Sequence, residues 1–217
     1  MCPEANEKRI SPDKEMPVAS AVFRGVGAGK GMAHGRLSFR HAAKTEAAAA
    51  DRHSRLSADA ERVRFERSRS EARDDIAELE RRAAKTAGEE SAAIFEIHGM
   101  LLDDEDFTLA VNEGLEDGFT AEAAVSDAGE RLAAVFEGME DEYLRARAAD
   151  MRDVCRRVHD RLTGRARGES QSSPAIIVAP DLSPSETVSL DPAAVLGFVT
   201  FGGSRSSHTA ILARQMG

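Results

Sequence analysis

The feature that most restricts this chain is a long interval without proline: from Asp51 to Gly164 there is none, and the interval is rich in Ala, Glu and Arg. Proline removes an amide donor and clashes with the preceding turn, so its exclusion alongside strong helix formers predicts a run of helices. Apolar spacing sets their phases. Leu56, Ala60, Val63, Ala72, Ile76, Leu79 and Ala83 keep i, i+3/i+4 spacing along a long first helix, expected to end at Gly88. A second carries Ala92, Phe95 and Met100 to Leu102; Asp103 and Asp104 supply the capping chemistry for a third with Phe107, Leu109 and Val111, interrupted by Gly114 and Gly118. Thr120 is the expected N-cap of a fourth helix through Ala124, Val125, Leu132 and Val135, and Asp141 opens a fifth through Leu144, Ala148, Met151, Val158 and Leu162.

The flanks follow another pattern. Val22-Phe23 and Leu37-Ser38-Phe39 predict two short strands around Gly25, Gly27, Gly29, Gly31 and Gly35. That glycine spacing admits a nucleotide loop or a structural turn; it fits neither a Walker loop nor a dinucleotide fingerprint, which favours the turn. Ala175 to Ala179 and Ala194 to Val199 are short apolar runs of the kind that form buried strands. Between them, Ser183-Pro184-Ser185-Glu186 supplies an N-cap, a proline at the first helical position and an acidic first turn. A last helix is expected from about Ser207. Together these predict an α/β domain built from discontinuous segments, 21–48 and 165–217, hosting an inserted all-α helical bundle at 49–164. Residues 1–20, with Pro3, Pro12 and Pro17 among charges, are expected to form a mobile leader.

Bulk properties narrow the function. The net charge of −9 disfavours nucleic acid, whose nonspecific binding needs a surplus of Lys and Arg. No apolar stretch approaches the roughly 20 residues that span a bilayer, and the first residues lack the apolar centre of a signal peptide, so no membrane association is expected. Cys2 and Cys155 lack metal-ligand spacing and fit free thiols of a reducing compartment, which makes a cytoplasmic location the expectation.

Charge is unevenly distributed. Between Glu89 and Glu142 there are 17 acidic residues against one basic residue, Arg131, whereas the helices on either side are Arg-rich. Such a run is either a solvated face paired with its basic neighbours or a docking face for a basic partner, with Met100, Leu101 and Phe107 as apolar contacts; composition leaves both open.

The run Gly202-Gly203-Ser204-Arg205-Ser206-Ser207-His208-Thr209 lies between a predicted strand and a predicted helix. Glycines let backbone amides turn toward an anion, Arg205 offers a charge-assisted contact to phosphate oxygens, and Ser206 and Ser207 offer hydroxyls. A neutral imidazole at the helix start is a competent nucleophile, yet a lone histidine there serves equally well as a cap or core residue.

At these residues the chain resembles a known family. Gly202 to Arg214 is similar to the phosphohistidine signature shared by Enzyme I of the bacterial phosphoenolpyruvate:sugar phosphotransferase system and by the dikinases and synthases that use phosphoenolpyruvate. Gly88-Glu89-Glu90, Ala93 to Glu96, His98, Met100 to Leu102, Asp141 to Leu144 and Arg147 to Asp150 resemble the helical subdomain of Enzyme I, which the dikinases lack. Asp181 to Thr187 and Leu196 to Thr200 extend the likeness.

The resemblance implies phosphoryl transfer from phosphoenolpyruvate, through a phosphohistidine at His208, to the carrier protein HPr. It implies attack through Nε2 of His208, a Ser183 hydroxyl orienting the imidazole where the family often has Thr, and Thr209 beside the carrier. Gly202, Gly203, Arg205, Ser206 and Ser207 would form the phosphate loop. Glu89, Glu90, Asp104 and Glu105 stand where the family presents acids to HPr, Met100 and Leu101 where it presents apolar contacts, and Arg147 near the same surface. Phe201, Ser204 and Ser206 differ from the commonly found Asp, Gly and Thr.

The family continues past Gly217 into a phosphoenolpyruvate-binding barrel with a magnesium site, through which the full-length parent would form a homodimer. This piece alone is therefore expected to need no cofactor, to be unable to use phosphoenolpyruvate, and to exchange phosphate with phospho-HPr. Two other readings stand beside it: the matching module of a related multidomain phosphotransferase, and a helical adaptor that is never phosphorylated.

Overall fold

The computed structural model describes residues 22–27, 31–40, 52–164 and 173–202. Five helices fill the proline-free interval: α1 (Ala58–Ala87), α2 (Glu89–Leu102), α3 (Glu105–Glu116), α4 (Ala121–Glu137) and α5 (Glu142–Leu162). Their starts follow local chemistry. The side chains of Ser57, Asp104, Thr120 and Asp141 each accept from amides of the first turn they precede. Gly88, at φ 85°, turns α1 into α2, a left-handed backbone that a side chain would strain.

The helical core is one cluster. Phe65, Ala72, Ile76 and Leu79 of α1 meet Phe95 and Leu102 of α2, Phe107 and Val111 of α3, Val125 of α4, and Met151, Val154 and Val158 of α5. Phe65 and Phe107 pack edge to face, ring centroids 6.1 Å apart. The buried line of α1 runs Glu61, Phe65, Ser68, Ala72, Ile76, Leu79, Ala83. Its first half differs from the expected stripe: Leu56 precedes the helix and is exposed, as is Val63, because the phase that buries Phe65 turns Val63 outward and admits Glu61. Leu109, Val135 and Leu144 are likewise exposed rather than inward.

The remaining elements are β1 (Arg36–Phe39), β2 (Ala175–Ala179), α6 (Pro184–Ser189), a 3₁₀ turn at Pro192–Ala194 and β3 (Val195–Thr200). The strands form a parallel sheet in the order β1-β2-β3, pairing Leu37 with Ile176 and Val178 with Val199. Ile177, Ala179 and Leu182 make a small second core with Phe198 against it. The strand expected at Val22-Phe23 is not formed: the segment has no regular secondary structure, both side chains are exposed, and none of the described strands pairs with it. The sheet does not stand apart from the bundle, because Val188 of α6 belongs to the helical core. The helix expected from Ser207 lies outside the described residues.

Candidate functional site

Parallel α/β sheets place ligands at the carboxyl ends of their strands, where loops rather than side-chain layers meet. At that edge here, β2 runs into Pro180-Asp181-Leu182-Ser183 and β3 into Phe201-Gly202. The two exits are tied together. The Phe201 amide donates to the Ala179 carbonyl (3.2 Å) and the Gly202 amide to the Pro180 carbonyl (2.8 Å). A Cβ on Gly202 would sit 3.2 Å from that same carbonyl, so a residue without one suits this close approach. The glycine loop therefore departs beside the segment that carries Ser183. Gly203, Arg205, Ser206, Ser207, His208 and Thr209 lie outside the described residues.

Ser183 starts α6 with a capping box: its Oγ accepts from the Glu186 amide (3.3 Å), and the Glu186 carboxylate accepts from the Ser183 amide (2.8 Å). Sequence foresaw that much. It did not foresee that α5 reaches across. Arg156 donates to Ser183 Oγ (2.9 Å), to Asp153 Oδ1 (2.5 Å) and to Glu186 Oε1 (3.3 Å), while Ser185 Oγ donates to the same Asp153 oxygen (2.9 Å). Burial opposes the charge on Arg156, but Asp153 and Glu186 outweigh it and hold the guanidinium firmly protonated. The i, i+3 spacing of Asp153 and Arg156 was readable in the sequence; their partners on α6 were not.

A second buried group continues this line through the bundle. His98, only 1% exposed, stands between Asp150 (Nε2 to Oδ1, 3.4 Å) and Asp153 (Nδ1 to Oδ2, 3.8 Å) and packs edge-on against Phe95. Arg147 donates to the other oxygen of Asp150 (2.7 Å), and its guanidinium lies 4.3 Å from the centre of the Tyr143 ring.

The acidic interval divides in two. Glu113, Glu116, Glu122, Asp127, Glu130 and Glu137 pair with arginines of the bundle, as a solvated and internally compensated face would. Among the described residues, Glu89 and Glu96 of α2 and Glu105 and Asp106 of α3 are exposed without an ion pair. Glu89, Glu96 and Met100 share one face of α2, and Met100 is 72% exposed. That face borders a groove of about 330 Å³ between α1 and α2, lined by Arg73, Ile76, Phe95 and Met100 among others. Asp104 caps α3. Two of the expected contact residues are placed differently: Leu101 is half-buried against the helical core, and Arg147 is 6% exposed. The backbone of Glu90 lies in α2, and its side chain is outside the described set.

Among the described residues there is no cluster of three or more His, Cys, Asp or Glu placed to hold a metal ion. No described helix is long and apolar enough to cross a membrane.

Comparison with known proteins gives this geometry a context. Residues 24–147 match the family described as PEP-utilising enzyme, N-terminal, and residues 171–217 the one described as PEP-utilising enzyme, mobile domain. The chain is 32% identical over 202 residues to the phosphoenolpyruvate-protein phosphotransferase of Bacillus sp. (strain S), covering 92% of this chain and 34% of that one. It is 38% identical over 165 residues to the protein of the same name in Listeria innocua, covering 73% of this chain. It thus spans about a third of the length of these curated relatives. The fold is similar to the NMR solution structure of Enzyme I (nEIt), with a TM-score of 0.68 and 31% identity, covering 90% of this chain and 79% of that one. It is also similar to a structure of the N-terminal domain of Enzyme 1 - Nitrogen, with a TM-score of 0.66 and 28% identity, covering 89% and 80%. A helical bundle joined to a small parallel sheet, with one family model matched over residues 24–147 and the other over 171–217, makes this protein a member of the PEP-utilising enzyme family, corresponding to the N-terminal domain of Enzyme I.

Proposed function

We propose that this chain carries a phosphoryl group on His208 and exchanges it with HPr, as the N-terminal part of a phosphoenolpyruvate-protein phosphotransferase. The observation that carries the reading is the pairing of Gly202 with Pro180, which starts the His208 loop beside Ser183 at the carboxyl edge of the sheet. In the parent, Nε2 of His208 attacks phosphorus in line; the N–P bond forms as the bond from phosphorus to the enol oxygen breaks, and the departing enolpyruvate takes a proton at its methylene carbon to leave as pyruvate. A nucleophile of HPr then attacks the same phosphorus and the N–P bond breaks. Both steps need positioning and charge stabilisation, which Gly202, Gly203, Arg205, Ser206, Ser207 and Thr209 are suited to supply.

The exposed acids Glu89, Glu96 and Glu105 with Met100 form the docking face for HPr, Asp104 and Glu90 lying in the same stretch; Arg147 and Leu101 support it from beneath. Unpaired acids beside an exposed apolar side chain favour docking over a merely solvated surface there. We assign magnesium and phosphoenolpyruvate to the remainder of the parent, which would dimerise through it, and place the protein in the cytoplasm. The subdomain limits 21–48 with 165–217, and 49–164, belong to this proposal.

The test is incubation with labelled phospho-HPr, followed by a search for acid-labile phosphate. Label on His208 is expected, and none in His208→Ala. Label that survives that substitution refutes the residue assignment, and a folded, HPr-binding chain that takes no label leaves the adaptor reading standing.

A further inference from the structure

We propose that the groove between α1 and α2 takes the side chain of one lysine or arginine of HPr, the aliphatic stem lying over Ile76 and Phe95 and the charged head between Glu80 and Glu96. The inference rests on reading Glu89, Glu96 and Met100 as the docking face for HPr, and it extends that face onto α1.

The two helices form an antiparallel hairpin whose register follows from one turn and one ion pair. α1 passes into α2 at Gly88, and Arg73 pairs with Asp103, which lies equally far from that turn on the other side. One helical turn from this pair toward Gly88, Ala77 is level with Gly99; one turn further, Glu80 is level with Glu96. Each of these residues lines the groove. It exists because the middle pair is small: a Cβ added at Gly99 would meet nothing within 4 Å. The floor is apolar, with Ile76 3% exposed and Phe95 fully buried. At about 330 Å³ the groove is at the small end of sites that enclose a whole ligand, about 300–1,000 Å³, and suits one side chain.

Charge selects which side chain. Arg73 and Asp103 neutralise each other, so the remaining charges of the lining are the carboxylates of Glu80 and Glu96. Neither makes an ion pair among the described residues. Like charges held at one level of packed helices repel, and a cation placed between them removes the repulsion. An apolar side chain would cover the floor and leave both carboxylates as they are; an acidic one would add to the repulsion. Lysine and arginine meet both needs, with a methylene stem that covers apolar surface and a cationic head that stays at the wet rim. Glu96 and Met100 border the groove and belong to the docking face, so a side chain that enters it comes from the same partner.

Binding of HPr to the whole chain, followed by isothermal titration at low and high salt, tests this in wild type, Glu80→Gln, Glu78→Gln, Gly99→Leu, Glu96→Gln and Met100→Ala, with Tm measured for each. Glu80→Gln is expected to weaken binding about three- to fivefold, the upper range for one exposed ion pair, and to flatten the salt dependence, with Tm unchanged or raised. Glu78 pairs with Arg81 and faces away from Glu80, so Glu78→Gln, the same change in net charge, should bind as wild type. Gly99→Leu fills the groove and should weaken binding about tenfold while Tm is held or raised, because leucine is the better helix former. Among HPr variants with each lysine and arginine changed in turn to methionine, one should lose affinity for wild type and nothing further for Glu80→Gln. Wild-type binding by Glu80→Gln or by Gly99→Leu, with Glu96→Gln and Met100→Ala weakened, overturns the groove and leaves the docking face standing. Equal losses in Glu78→Gln and Glu80→Gln also overturn it, marking a long-range field instead of a seated cation, as does the lack of any coupled lysine or arginine. If Glu96→Gln and Met100→Ala bind as tightly as wild type, or wild type does not bind HPr, the docking face itself is refuted and the groove with it.

Discussion

Glu61 is a buried carboxylate at the head of the apolar seam of α1, and its removal should be among the most damaging single changes in the helical core. It sits 2% exposed on α1 and is held by three donors: Ser54 Oγ at 2.5 Å, Arg64 at 2.6 Å and the Ala121 amide at 3.1 Å. The last of these is the first amide of α4, so a residue of α1 caps a helix far away in sequence. In Glu61→Ala the fully buried Ala121 amide loses its acceptor, which costs about 1–3 kcal/mol, and the charge-assisted contacts to Arg64 and Ser54 go as well. Arg64 keeps Glu122, so no cation is stranded, and the total comes to about 3–4 kcal/mol. For a chain of this length that lowers Tm by about 6–16 °C. Glu61→Gln retains an acceptor for Ala121 and should cost less than half as much.

The assay is thermal unfolding followed by far-ultraviolet circular dichroism. Burial acts to raise the Glu61 pKa, but hydrogen bonds from Ser54, the Ala121 amide and Arg64 outweigh it and hold the carboxyl below its usual value. A depressed folded pKa means that its contribution is fully present above the unfolded carboxylate pKa and is lost as pH falls through the folded one. The gap between wild type and Glu61→Gln should therefore close in acid. A Glu61→Ala chain as stable as wild type at pH 7, or a gap that widens in acid, would refute the reasoning.

Two further outcomes follow from the packing of α4 on α5. A Cβ on Gly129 would meet Cys155 Sγ at 2.5 Å and Cβ at 2.9 Å, so Gly129→Ala should destabilise by about 1–3 kcal/mol in chemical unfolding, with partial recovery when Cys155→Ala removes the sulfur. Full stability of Gly129→Ala would show that the helices part freely. Burial, with Glu130 adding to it, pushes the Cys155 thiol well above its usual pKa; in a Cys2→Ser chain its alkylation at neutral pH should track global unfolding, and rapid alkylation of the folded chain would contradict this.

Much of the architecture was legible because its signals are local. Asp104, Thr120, Asp141 and Ser183 cap the helices they were expected to cap, since a cap is a contact across two or three residues. The strands at Ala175 and Val195 are likewise where apolar runs bounded by proline predict them. Phase was harder. Val63 was expected to face inward because the eye passes over a glutamate, yet Glu61 is the buried residue, made tolerable by donors from Ser54 and Ala121 that no periodicity reveals. The site shows the same limit. Met100 could be expected at an exposed apolar contact, but Arg147 turned out to be buried against Asp150, and the bond from Arg156 to Ser183 joins residues that share no local pattern.

The register of the sheet bears on how the molecule assembles. β1 ends at Phe39 and its neighbour β2 begins at Ala175, so the whole helical run is spliced between two strands that lie side by side. In an unfolded chain, pairing Leu37 with Ile176 would close a very long loop for the reward of a short ladder. With the bundle formed, and α6 already anchored through Val188, the entropic cost of that closure has largely been met by contacts between helices neighbouring in sequence. The sheet edge at which Pro180 and Gly202 meet is thus expected to form late, its stability borrowed from the insertion it encloses.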